Sequence, residues 1–125
     1  MLADRRVHTT LPTQDVDALR PFYEETLGLT PFAIRPGAVV YRVGDGTQFV
    51  ISRSGITPSG HTQMAFAVGD IEAEVAELRS KGVTFVEYDM PKTIGGIATL
   101  PAGRGAWFKD PAGNLLGLFE FAEPL

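Results

Sequence analysis

The sequence predicts an α+β chain built from two βαβββ modules, and three observations carry that prediction. A short alternating strand followed by an amphipathic helix occurs twice. The helix start Asp15-Val16-Asp17-Ala18 returns as Asp70-Ile71-Glu72-Ala73 at an offset of 55 residues. Each helix is followed by short apolar runs separated by turn residues. One such half cannot cover its own apolar face, whereas two can. The length of 125 residues suits a single domain, 1–125, made of two repeats at about 5–53 and 61–121.

The first strand starts at Val7, and alternation sets Val7 and Leu11 on one face with His8, Thr10 and Pro12 on the other. Val16, Leu19, Phe22, Tyr23 and Leu27 then recur at helical spacing. Asp15 or Asp17 can cap that helix and Gly28 can end it, while Pro21 is tolerable only near the first turn. Strands are predicted over 30–34, 38–43 and 47–52, joined at Arg35-Pro36-Gly37 and at the hairpin signal Asp45-Gly46. Residues 53–60 lack any period and read as a crossing loop. The second half repeats this plan. It has a strand over 61–68, a helix on Ile71, Val75 and Leu78 that closes at Lys81-Gly82, and strands over 83–88, 97–100, 106–109 and 114–121.

Composition excludes several classes of function. With no cysteine, disulfides, thiolate metal sites and cysteine nucleophiles are ruled out, and a cytoplasmic setting is expected. No segment approaches the roughly 20 apolar residues of a membrane span, so no membrane partner is expected. A net charge of -4, with no basic cluster beyond Arg5-Arg6, argues against nucleic acid. The serines lie in no nucleophile-elbow context, and the glycines of GDGTQF and GGIATLPAGRG do not link a strand to a helix as a phosphate cradle requires.

Three stretches, LPTQDVDALRPFYEETLGL, AFAVGDIEAEVAELRSKGV and WFKDPAGNLLGLFEF, resemble the vicinal oxygen chelate superfamily of glyoxalase I, bleomycin-resistance proteins and extradiol dioxygenases. The resemblance covers nearly the whole chain and rests on FY-x3-LG near its start and DP-x-GN near its end. It implies a curled, cup-shaped mixed sheet with helices outside, homodimers, and a small-molecule ligand or a metal in the cup. An enzyme of this kind would be a glyoxalase-like lyase or dioxygenase. The superfamily also holds non-catalytic binders, so fold leaves function open.

The metal positions of the superfamily, carried over one at a time, fall on His8, on Gln63, on Gly117 and on Ile51 or Ser52. A catalytic divalent ion normally needs about three strong donors. Only His8 is one, and His8 and Gln63 are the weak metal candidates. No cofactor is therefore expected, a divalent metal being the competing reading. Glu120 alternates away from Gly117 and reads as a solvent-side carboxylate or a helix contact. The site expected instead is a pocket for an aromatic or largely apolar molecule, as in the antibiotic-resistance branch. It is lined by His8, Tyr41, Phe49, Ile51, Arg53, Gln63, Trp107, Gly117 and Phe119. Trp107 and Phe108 face opposite ways, so only one of them can line it.

Overall fold

A computed structural model describes residues 1–55 and 60–123, so the middle of the predicted crossing loop lies outside the described residues. The chain divides into two compact units, Met1–Thr57 and Pro58–Leu125. Each carries one helix and one mixed sheet, of four strands in the first unit and five in the second.

In the first unit, β1 (Thr9–Thr13) leads into α1 (Val16–Pro21), and β2 (Pro31–Arg35), β3 (Ala38–Arg42) and β4 (Gln48–Arg53) follow. The sheet order is β1-β4-β3-β2. β2, β3 and β4 form an antiparallel meander, whereas β1 lies parallel to β4, because the chain returns to its first strand only after a helix and two hairpins. Asp15 caps α1, its carboxylate accepting the Ala18 N–H. Pro21 closes the regular helix rather than standing in its first turn, and a π-helical turn, Phe22–Thr26, follows. Its missing N–H and its ring clash with the preceding turn break the four-residue ladder there. The Asp45-Gly46 turn forms as predicted, with φ of 55° and 74°.

The core of this unit is the sheet face turned to the helix. Leu11, Val39, Tyr41, Phe49 and Ile51 meet Leu19 and Tyr23, all buried. The Tyr23, Tyr41 and Phe49 rings lie 5.3–5.7 Å apart. Burying each large side chain stabilises by about 1.5–3 kcal/mol.

In the second unit, β5 (Thr62–Ala67) leads into α2 (Ile71–Ser80), followed by β6 (Thr93–Ile94), β7 (Ile97–Leu100), β8 (Gly103–Lys109) and β9 (Leu115–Phe121), in the order β5-β9-β8-β7-β6. Asp70 caps α2 through the Ala73 N–H, as Asp15 caps α1. Ile71, Val75 and Leu78 pack beside Ala106, Phe108, Leu116 and Leu118 as the core. The strand predicted at 83–88 does not form. Val83 and Phe85 are buried, but an isolated bridge from Phe85 to Phe108 and the bonds between Tyr88 and Thr93, rather than a continuous ladder, tie this stretch to the sheet. Its apolar content serves the core without a ladder. β8 begins three residues earlier than predicted, at Gly103, where φ is 152°. A Cβ there would run into the Glu120 carbonyl, so glycine is required.

Candidate functional site

Strand register decides which predicted site residues share a surface. In the first unit Leu11, Ile51 and Val39 are paired across the sheet, as are Thr9, Phe49 and Tyr41. All point to the helix side. Tyr41, Phe49 and Ile51, expected to line a pocket, are therefore spent on the core, at 0–3% exposure. The opposite face carries Pro12, Val40, Val50 and Ser52, each half-buried. His8 is exposed and precedes β1, so the strand that was to present it starts one residue too late.

The same register corrects the place equivalent to Gly117. Ala65 pairs with Gly117 and Thr10 with Val50. Thr10 and Ala65 correspond by the 55-residue offset. The equivalent of Gly117 is thus Val50, and neither Ile51 nor Ser52.

In the second unit β8 and β9 alternate cleanly. Ala106, Phe108, Leu116 and Leu118 face α2, and Gly105, Trp107, Gly117 and Phe119 face the other way. Phe108 is fully buried against Phe85, so Trp107 is the residue that faces outward. Its indole lies flat on the sheet. A Cβ at Gly105 would stand 3.0–3.1 Å from the six-membered ring, and one at Gly117 would stand 3.5 Å from Cδ1. The two glycines are the floor under that ring. Tyr88 meets Trp107 edge to face at 5.6 Å, and Phe119 meets Phe121 at 4.7 Å. Gly105 was missed at the sequence level, although its i, i+2 spacing to Trp107 in GAW was the signal.

Gln63 is the extra residue of a bulge between Thr62 and Met64. Its Oε1 is buried and accepts no hydrogen bond among the described residues. No group of three or more His, Cys, Asp or Glu gathers among the described residues in a way that could hold a metal ion.

Each unit also carries a polar cluster joining helix to sheet. In the first, Arg20 binds Glu24 at 2.6 and 3.1 Å, and the buried Tyr41 hydroxyl donates to the same carboxylate at 2.8 Å. The Arg20 hydrogen bond holds the Glu24 carboxyl below its ordinary range, while burial, and then Glu24, pushes the Tyr41 hydroxyl up. In the second, Glu120 accepts the Ile71 N–H at 2.9 Å and pairs with Arg104. The backbone bond first, and Arg104 second, lower its pKa. Glu120 is thus a helix contact.

The DP-x-GN stretch is structural. Asp110, 4% exposed, accepts the N–H groups of Ala112 and Asn114 and the Asn114 side-chain amide, at 2.8–2.9 Å. This turn sets β8 against β9 and so aligns Trp107 with Gly117.

The profile of the Glyoxalase/Bleomycin resistance protein/Dioxygenase superfamily matches residues 5–118, and the chain belongs to that superfamily. A superfamily member from Sphaerobacter thermophilus DSM 20745 is similar at 27% identity and TM-score 0.75, covering 94% of this chain and 98% of its own. TnmS3, an antibiotic binding protein from Streptomyces sp. CB03234, is similar at 26% identity and TM-score 0.73, covering 95% and 98%. A lactoylglutathione lyase from Agrobacterium tumefaciens, at 20% identity, TM-score 0.67 and coverage of 94% and 93%, shares the fold. No curated protein matches the chain.

Proposed function

We propose that this chain binds a small, planar aromatic or largely apolar molecule and does so without a catalytic metal. The observation that carries the reading is the outward face of the second unit, where Trp107 is laid flat over Gly105 and Gly117 with the Tyr88 ring perpendicular to it. An indole laid flat on glycines is a platform on which a planar molecule can stack. The similarity to an antibiotic binding protein points the same way. The residues at the superfamily's metal positions do not fit a divalent ion. His8 stands exposed before its strand, Gln63 buries its amide oxygen, and Val50 and Gly117 offer no donor.

Trp107 is the only tryptophan, so its fluorescence reports directly on the site. Titration with 1-naphthol is expected to give saturable quenching at one molecule per chain, and calorimetry is expected to show that this binding is lost in Trp107→Ala. Linear quenching without saturation would refute the reading. Protein purified without chelator is expected to hold far less than one Zn, Fe, Ni or Mn per chain. A ratio near one would instead favour the metal-dependent lyase or dioxygenase. We further propose a homodimer, because the edge strand β2 exposes Phe32 and Ile34 at 55% and 53%. Light scattering should give about twice the 13.5 kDa chain mass, and a value near 13.5 kDa would count against it.

A further inference from the structure

The two repeats differ at one place that the aromatic-face reading does not use. Leu11 pairs with Ile51 and Phe66 with Leu118, and Leu11 and Phe66 each precede their helix cap by four residues. Ile51 therefore corresponds to Leu118, and Arg53 to Glu120. In the second unit this place, between the helix start and the sheet, is filled by the Glu120 carboxylate, held by Arg104 and the Ile71 N–H. In the first unit the matching strand position carries Arg53, so the chain supplies no carboxylate from that position. The residue facing it across the strands, where Arg104 faces Glu120, is Gly37 at the hairpin turn, whose carbonyl accepts the Arg53 N–H at 2.9 Å.

A cleft of about 330 Å³ opens at that point, lined by Asp15, Asp17, Arg20, Ile34, Arg35 and Arg53 among others. The Arg53 side chain makes no hydrogen bond or ion pair among the described residues, and Arg35 donates only to the Ile34 carbonyl. Arg35 and Arg53 thus border the cleft with no carboxylate bonded to either among the described residues, while Arg20 is satisfied by Glu24.

We propose that this cleft binds the carboxylate of an external small molecule, which takes the place in the first unit that the Glu120 side chain holds in the second. A planar guanidinium fork matches a carboxylate in two bonds, and charge-assisted bonds of this kind are the strong ones. The aspartates at the rim do not forbid it. Asp70 and Glu72 hold the matching places in the second unit, where a carboxylate is nevertheless accommodated beside them. The surface is the helix-packed edge of the first unit, so the proposal stands whether or not Trp107 binds an aromatic molecule.

The test is a nitrogen-15 NMR titration of the full chain with sodium acetate, run against sodium chloride at equal ionic strength. Acetate is expected to give saturable shifts at the Gly37 and Arg53 amides and the Arg53 side-chain N–H. In Arg53→Gln, which is exposed and should fold, affinity is expected to fall tenfold or more. Arg5→Gln is expected to change nothing. The proposal is overturned if chloride gives the same shifts, if acetate does not saturate, or if Arg53→Gln binds as the wild type does. Saturation by inorganic phosphate but not by acetate would also overturn the carboxylate assignment.

Discussion

Tyr41 shows how a residue can look like a ligand contact and be core. An aromatic on an alternating strand has two faces available, and only pairing with Phe49, in register with Thr9, turns it under Tyr23 and onto Glu24. The Arg20 to Glu24 spacing was readable as a helical i, i+4 ion pair, but a hydroxyl arriving from 17 residues away was not. Tyr41→Phe is expected to cost about 1 kcal/mol in urea unfolding at pH 7, the net worth of one hydrogen bond. The carboxyls of Glu24 and Glu120 are both held below their ordinary values. Their contribution is therefore fully present above the unfolded carboxyl value of about 4.3 and is lost as pH falls through the folded values. Urea midpoints measured from pH 7 down to pH 3 should drop below about pH 4.5, and Glu24→Gln should flatten that drop. A midpoint that held steady into acid would refute this assignment.

At the scale of elements, the hairpins and caps were legible because a few atoms dictate them: Asp15 and Asp70 each satisfy one N–H, and Asp45-Gly46 takes positive φ. The stretch 83–88 was not, since burial of Val83 and Phe85 imitates a strand pattern without requiring ladder bonds. Two glycines of β8 and β9 separate backbone need from side-chain need. Gly103→Ala must push aside the backbone carbonyl of Glu120 and is expected to cost about 3 kcal/mol or more. Gly117→Ala meets side chains alone, the Ala65 Cβ at 3.3 Å and the Thr62 methyl and Trp107 edge at 3.5 Å, so it should fold with a smaller loss. Gly117→Leu is expected to lift the indole, seen as a changed Trp107 emission together with lost 1-naphthol binding. Normal emission and normal binding in that variant would remove Gly117 from the floor of the site.

For the molecule as a whole, the duplication was visible in the helix starts, and the divergence of the copies was hidden because it lies between strands. Arg53 and Glu120 are unremarkable surface residues until pairing shows that they occupy the same place with opposite charge. The strand order carries a further consequence for how the chain is made. β9 lies between β5 and β8, so the strand that comes latest in this sheet is an inner one, and among the described residues β5 has no neighbour until β9 arrives. The first unit can complete its sheet once β4 has emerged, while in the second β5 must wait unpaired beside the β6-β7-β8 meander. A chain stopped after Asn114 should therefore keep a folded first unit yet lose the ordered environment of Trp107, measured as its near-ultraviolet circular dichroism. Loss of β9 would then act as a failure of half the protein, and nascent chains halted there would present an unpaired β5 and one open edge of β8 to the quality-control machinery of the cell.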